Sequence, residues 1–210
     1  MAVASLLAAA AAADRAGPTE VTTAAVRVVG DVLVPHPTGS GWLTADGAAP
    51  PGASVCRAAG GPALLRLAWP AGATSPVRVG VWTAPGGEES AGLVFRWRDA
   101  RHYYLARLNT RTNGLRLVRY EAGQPTLLAG RDVPIPVGQW HVLAVDRRDG
   151  QVQVALDGEA VLEGEDAPWQ DDGLGLWVGR ATHACFTEVR LAALDAPSRA
   201  AGGGDPPATR

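Results

Sequence analysis

Residues 91–120 read AGLVFRWRDARHYYLARLNTRTNGLRLVRY. Three runs rich in Val, Leu, Phe and Tyr are separated by Asp99-Ala100 and by Asn113-Gly114. Apolar and aromatic runs bounded by Asp, Asn and Gly are typical of β-strands. Asn-Gly supplies the positive φ angles that a two-residue hairpin turn requires. The stretch therefore predicts three antiparallel strands joined by tight turns.

The same pattern extends over most of the chain. In residues 151–156, which follow Asp149-Gly150, Val152, Val154 and Leu156 alternate with less apolar neighbours. A period of two places one side of a strand inward and the other outward. Further strands are predicted at residues 26–29, 32–34, 63–69, 77–83 and 138–146. Many short strands at regular spacing predict an all-β sandwich or barrel.

Length and composition are those of one globular domain. The chain has 210 residues, of which 47% are hydrophobic and 19% charged. We divide it into an apolar N-terminal segment at residues 1–20, a β-sandwich domain at 21–195 and a tail at 196–210. The tail is rich in Gly and Pro, and we expect it to be disordered or ordered by a partner. A net charge of −2 gives no electrostatic reason to expect nucleic acid or an anionic membrane surface as partner.

The N-terminal segment allows three interpretations. Residues 2–13 form an apolar run of signal-peptide length, and Ala11-Ala12-Ala13 resembles a cleavage site. The cationic start of a signal peptide is missing, because the first cation is Arg15. The run is also too short to span a bilayer. A signal peptide with a misassigned start, an Ala-rich helix docked on the domain or a partner, and a frayed tail all remain open.

Several of these segments together resemble the concanavalin A-like lectin/glucanase superfamily. They are residues 92–96, Tyr103-Tyr104-Leu105 with Arg107, 138–141, 156–158 and 173–177. The nearest branches are laminin-G-like domains and the bacterial domain of 3-keto-disaccharide hydrolases. The resemblance implies a jelly-roll sandwich of two antiparallel sheets. It also implies binding of a glycan or protein at the concave face or rim loops, and a periplasmic or extracellular location.

Catalytic carboxylates are not evident in the sequence. Hydrolysis of a glycosidic bond usually needs two carboxylates on either side of the substrate. Their separation is about 5 Å in retaining enzymes and about 6.5–9.5 Å in inverting enzymes. The Glu-x-Asp-x-x-Glu pattern of the related β-glucanases is absent from the sequence. We therefore favour a non-catalytic binding module of the cell envelope that recognises a glycan or a protein, and we expect it to act as an accessory subunit of a larger assembly. The alternative is a hydrolase of the glycoside or 3-keto-disaccharide type.

The candidate binding residues are basic and aromatic. Alternate residues of neighbouring antiparallel strands share a face, so Arg96, Tyr103 and Arg107 are expected to be partly exposed and to line one groove. Trp97 and Trp169, at a strand end and in a loop, are expected to be exposed and able to stack on sugars. The alternative for the arginines is a solvent face whose side-chain stems cover apolar neighbours.

Two further tryptophans and the two cysteines are expected to stabilise the fold and not to bind a ligand. Trp140 and Trp177 lie in segments that resemble the family's core strands and are expected to be buried. Cys56 and Cys185 are compatible with a disulfide of an exported sandwich, but two buried thiols are the simpler interpretation. The sequence contains no CxxC, and its histidines have no metal-ligand spacing.

Cofactors are not expected, with one exception. A dense acidic group flanks Trp169 in a predicted loop, and its interpretations are a solvated surface loop or a calcium site. It consists of Glu163, Glu165, Asp166, Asp171 and Asp172. The regular Asp-x-Asp-x-Asp-Gly spacing is missing from it.

Overall fold

The fold is all-β in the part of the chain that the computed structural model describes. That part comprises residues 20–29, 32–37, 41–45, 49–68, 76–148, 150–165, 171 and 173–191. Its elements are β1 (Glu20–Val29), β2 (Val32–Pro37), β3 (Trp42–Thr44), β4 (Val55–Arg57), β5 (Ala63–Leu67), β6 (Val77–Thr83), β7 (Ser90–Asp99), β8 (His102–Asn109), β9 (Gly114–Glu121), β10 (Gln124–Asp132), β11 (His141–Arg148), β12 (Gln151–Leu156), β13 (Glu159–Glu165), β14 (Leu174–Val178), β15 (Ala184–Phe186) and β16 (Val189–Leu191). The predictions for residues 2–13, for Trp169 and for the tail lie outside the described residues. Within the described ranges there is no helix with the length and apolar character to cross a membrane.

The strands form two layers joined at β1. The first layer has the order β10-β9-β8-β7-β14-β5-β1, and the second continues as β1-β2-β16-β6-β11-β12-β13. Ala24 is the corner, because it pairs with Leu67 of β5 and with Pro37 of β2 and is fully buried. Pairing is antiparallel except between β1 and β5. This arrangement confirms the predicted jelly-roll sandwich.

The loops at the two predicted hairpin turns, Asp149-Gly150 and Asn113-Gly114, differ in length from each other. Arg148 pairs with Gln151, so two residues separate β11 from β12, and Gly150 has a φ of 76°. Asn113 also has a positive φ, of 51°, but Gly114 already pairs with Asn109. The second loop is therefore four residues long, and the prediction of a two-residue turn there is wrong. The Asn113 side chain is used elsewhere, since its Oδ1 accepts a hydrogen bond from the Ile135 N–H at 2.9 Å.

A further hairpin follows β12. Leu156 pairs with Glu159, and the two residues between them, Asp157 and Gly158, have φ values of 52° and 89°. This is the signature of a two-residue hairpin turn. The chain therefore reverses and forms β13, so Glu163 and Glu165 lie in a strand and not in the predicted loop.

The main core lies between the two layers. Leu93 and Tyr104 from the first layer belong to one buried cluster with Val154 and Phe186 from the second. The alternation in β12 is confirmed, because Val152, Val154 and Leu156 are all buried while Gln151 and Gln153 are exposed. In contrast, β7, β8 and β14 are buried at nearly every position. These three strands therefore bury both of their faces.

A disulfide closes the short strands beside β6. Cys56 of β4 and Cys185 of β15 stand directly opposite each other in antiparallel register, with Cα atoms 4.0 Å apart, and their sulfurs are bonded. The interpretation as two buried thiols is wrong. The register explains the difference, because opposite residues of paired strands have neighbouring side chains.

Candidate functional site

The candidate site is the face of the first layer that points away from the core, which we call the outer face. A second hydrophobic cluster, separate from the main core, lies there. Its members are Leu64, Val94, Trp97, Tyr103, Leu105, Val118, Tyr120 and Trp177. Register brings them together, since Leu105 pairs with both Val94 and Val118, and Tyr103 pairs with Tyr120.

Aromatic rings form a packed layer at one end of the outer face. The rings of Tyr103 and Tyr120 stack with centroids 4.5 Å apart, and the Trp97 ring lies 6.2 Å from Tyr103. Gly175 allows this packing, because a Cβ at that position would overlap the Trp97 ring. The indole N–H of Trp97 is buried and has no hydrogen-bond acceptor among the described residues. A buried donor without an acceptor is uncommon and calls for a partner.

Two guanidinium groups lie above tryptophan rings on the same face. The Cζ atom of Arg66 is 5.8 Å from the centroid of Trp97, and that of Arg107 is 5.9 Å from Trp177. These distances are within the range of cation–π attraction. Arg107 also donates a hydrogen bond from Nη1 to Ser90 Oγ at 3.2 Å. The rings therefore hold both cationic groups in defined positions.

The expected exposure of the candidate residues is not observed for three of them. Tyr103, Trp97 and Arg107 are 0%, 1% and 9% exposed. Their predicted exposure is wrong because the Trp97 and Tyr103 rings pack on each other, and because the Arg107 side chain packs over Trp177. Arg96 is half-buried, with a φ of 50°, in the irregular stretch of β7 where the register with β8 shifts. These burial values do not test whether the residues bind a ligand.

The backbone also separates two of the proposed partners. Tyr103 lies beside Trp97, as the ring distance indicates. Arg107, however, is four residues further along β8, about 13 Å of extended strand. It contacts Ser90 and Trp177 instead. The structure therefore brings Tyr103 and Trp97 together and places Arg107 in a second part of the outer face.

The sequence predicts that Trp140 and Trp177 lie in the core. Trp177 is 5% exposed, which confirms that expectation. Trp140 is only half-buried, and its indole N–H donates to the carbonyl oxygen of Pro51 at 3.0 Å. The prediction for Trp140 is wrong because the residue precedes β11 and packs against a loop.

Asp171, one of the described members of the acidic group, lies beside β7, whereas Glu163 and Glu165 lie in β13 of the second layer. Asp171 Oδ2 accepts a hydrogen bond from Arg98 Nε at 2.9 Å, and the backbone N–H of Trp97 donates to the Gly173 carbonyl oxygen at 3.1 Å. These contacts attach Asp171 and Gly173 to β7. Asp171 is thereby paired with an arginine, and calcium binding remains a prediction.

A metal site is not formed by the one suitable cluster in the described ranges. That cluster consists of Cys56, His183 and Cys185. Both sulfurs are joined in the disulfide, so neither is the thiolate that ligates a metal.

The residue that sequence reasoning missed is Arg66. It lies on β5, and pairing with Gly175 of β14 brings it to the outer face beside Trp97. A weak signal was available in the alternation of Gly173, Gly175 and Trp177, because glycine within a strand often marks close approach of another group.

Comparison with known proteins agrees with this architecture. No protein family model matches the chain. A levanase of Bacillus subtilis (strain 168) is 27% identical over 104 residues, and the match spans 49% of this chain and 15% of the levanase. The carbohydrate-binding module CBM66 from Bacillus subtilis superimposes with a TM-score of 0.60 at 22% identity, over 71% of this chain and 94% of the module. The GH43 protein BlXynB from Bacillus licheniformis gives 0.47 at 13% identity, over 65% and 32%.

The fold is a concanavalin A-like jelly-roll sandwich. The superfamily resemblance of the sequence is therefore confirmed at the level of the fold. The matched region is a small part of the levanase, so the activity of that whole enzyme does not transfer to this chain by similarity alone.

Proposed function

We propose that the protein is a non-catalytic glycan-binding module and that its ligand lies on the outer face. The observation that carries the proposal is the position of the Arg66 guanidinium, which is exposed and held over the buried Trp97 ring. The similarity to a carbohydrate-binding module and to part of a levanase supports the same ligand class.

Guanidinium groups that are fixed in position can recognise sugars through hydrogen bonds. Each presents several N–H donors in a fixed plane, and hydroxyl and ring oxygens of a sugar accept hydrogen bonds. Arg66 and Arg107 are positioned by Trp97 and Trp177 before any ligand arrives, which reduces the entropy lost on binding. In this proposal the buried rings position the donors, and they do not stack on the sugar themselves.

The sequence favours binding over catalysis. Hydrolysis of a glycosidic bond generally uses two carboxylates on either side of the bond. The sequence lacks the Glu-x-Asp-x-x-Glu pattern that supplies such carboxylates in the related β-glucanases. The proposal therefore assigns no catalytic residue.

We also place the module outside the cytoplasm, in the periplasm or the extracellular space. The Cys56–Cys185 disulfide supports this location, because disulfides persist mainly in oxidising compartments. A role as an accessory subunit of an envelope assembly, with a protein partner, belongs to the same proposal.

The test is a binding screen with the purified chain. Affinity gel electrophoresis against a panel of soluble polysaccharides, with calorimetry on any that retard the protein, identifies the ligand. We expect Arg66→Ala to weaken binding about tenfold or more, because hydrogen bonds from charged donors are lost. The matched control is Arg78→Ala, another exposed strand arginine, on β6 of the second layer. Equal affinity of both variants and the original chain, or no retardation by any glycan, would overturn the proposal.

A further inference from the structure

Within the part of the chain that the structure describes, Cys56, His183 and Cys185 bring potential metal ligands together beside β6. Each residue offers one ligand atom, and these atoms all lie within 4.8 Å of one another. Thiolate sulfur and imidazole nitrogen are ligands that Zn²⁺ commonly has in proteins. Because the two sulfurs are bonded to each other, this set of atoms differs from a zinc site by the reduction of one bond.

Strand pairing holds the two cysteines opposite each other. Cys56 of β4 and Cys185 of β15 are direct partners in antiparallel register, with Cα atoms 4.0 Å apart. Strand β15 also pairs with β6, where Trp82 is opposite Cys185, and β4 also pairs with β3. These pairings are made by backbone groups and do not involve sulfur. Reduction of the disulfide is therefore expected to leave the two thiols facing each other.

His183 is held beside the sulfurs through its backbone and its ring. Its carbonyl oxygen accepts a hydrogen bond from the Ala84 N–H at 2.9 Å, and its ring meets the Trp82 ring edge to face. Its Nε2 atom lies 4.0 Å from the Sγ atom of Cys185. Tetrahedral zinc with bonds of about 2.3 Å to sulfur and about 2.0–2.1 Å to nitrogen places such ligand atoms about 3.5 Å apart. A small movement of the imidazole is enough to reach that separation.

We infer that Cys56, Cys185 and His183 form a redox-gated site for Zn²⁺. This inference is independent of the proposed glycan binding. The disulfide closes the site, whereas in the reduced chain two thiolates and one imidazole bind the ion. Because His183 is exposed, water reaches the fourth ligand position. Three protein ligands and one water molecule are the usual coordination of a zinc site with an open position.

A small dithiol opens the site by thiol–disulfide exchange. Its thiolate attacks Sγ of Cys56, which is 7% exposed, and the fully buried Cys185 leaves as the thiolate. The second thiol of the reductant then displaces Cys56 from the mixed disulfide. The reductant ends as a disulfide after giving up two electrons, and both cysteines end as thiols, whose protons are released when Zn²⁺ binds. Bound metal and the disulfide therefore exclude each other.

The test is metal binding by the purified chain before and after reduction with a phosphine, which takes up the oxygen atom of a water molecule as the two thiols form. Co²⁺ is the spectroscopic probe, because cobalt–thiolate bonds absorb in the near ultraviolet, and Zn²⁺ is then titrated in competition. We expect the thiolate absorption at a single ion per reduced chain, and no such absorption for the oxidised chain. Zn²⁺ should also raise the unfolding temperature of the reduced chain, because it binds the folded form. A reduced chain without the cobalt–thiolate absorption overturns the inference.

Variants test whether the folded site binds the ion. His183→Ala should weaken Zn²⁺ binding to the reduced chain about tenfold or more, because even the loss of an outer partner of a metal ligand has an effect of that size. The matched control is His102→Ala, which changes a histidine on β8 of the first layer and should leave the affinity unchanged. The double change Cys56→Ser and Cys185→Ser should remove the cobalt–thiolate absorption. If reduction alone unfolds the chain, added Zn²⁺ should restore the β-sheet circular dichroism spectrum. Equal affinities of His183→Ala and the original chain, or a reduced chain that stays unfolded with Zn²⁺, would show metal binding without the folded site and overturn the inference.

Discussion

The Nδ1 atom of His141 lies 2.8 Å from Oδ2 of Asp157. The opposite ring nitrogen, Nε2, lies 2.8 Å from the carbonyl oxygen of Pro136. The other carboxylate oxygen, Oδ1, accepts a hydrogen bond from the Val142 N–H at 2.7 Å. One buried imidazole therefore connects the start of β11 both to the loop before it and to the hairpin turn between β12 and β13.

Replacing this imidazole is expected to destabilise the fold. His141→Phe keeps an aromatic ring but removes both hydrogen bonds, and we expect the free energy of unfolding to fall by about 1–3 kcal/mol. Chemical denaturation measures the change. The control is His183→Phe, since His183 is exposed and contacts Trp82 edge to face. Equal stabilities of the two variants would contradict the assigned role of His141.

Gly175 is expected not to tolerate a side chain. A Cβ there would overlap the Trp97 ring and lie 2.7 Å from the carbonyl oxygen of Leu65. We expect Gly175→Ala to cost about 1–3 kcal/mol of stability through overpacking. Near-ultraviolet circular dichroism should also change, because the tryptophan must move. Gly60→Ala is the matched control, since the Cβ there meets its nearest neighbour at an ordinary 3.6 Å. A Gly175→Ala protein with unchanged stability and spectrum would refute the packing.

Loss of the disulfide is expected to lower stability strongly. Cys56 and Cys185 are 129 residues apart in sequence, so their bond restricts a long loop of the unfolded chain. The loop-entropy relation gives an upper value of about 5 kcal/mol for the double change Cys56→Ser and Cys185→Ser. Denaturation with and without a reductant measures it, because the reductant should affect the original chain and leave the double variant unchanged. Mass spectrometry that finds two free thiols in the purified original chain would contradict the bond.

Asp99 provides a prediction for pH. Burial raises the pKa of its carboxyl group, but hydrogen bonds from the Arg101 N–H and the His102 ring outweigh this, so that the pKa is lower than the usual value. A lowered pKa means that the carboxylate stabilises the fold above the unfolded-state pKa. The contribution is lost as the pH falls through the folded-state pKa. Carbon-13 NMR titration should show the Asp99 pKa rising in His102→Ala. It should stay low in Arg101→Ala, because that contact comes from the backbone.

Local patterns were enough to predict the fold class. The Asp149-Gly150 turn and the alternation of Val152, Val154 and Leu156 appear in the structure as expected. These features depend on backbone conformation and on side-chain period, both of which are set by neighbouring residues. The Asn113 turn shows the limit of such reasoning. Its positive φ was predicted, but the loop length depends on which residues of β8 and β9 pair.

By itself the sequence determined the all-β class, most strands and the arginine-rich composition of β7 to β10. Only the tertiary structure decided which side chains are exposed and which meet. Tyr103 and Trp97 are buried because rings from β7, β8 and β9 pack together, and Arg66 reaches Trp97 because β14 pairs with both β5 and β7. Strand order and register bring residues together over long sequence separations. Local preferences carry little information about such pairings, which is why the make-up of the outer face required the structure.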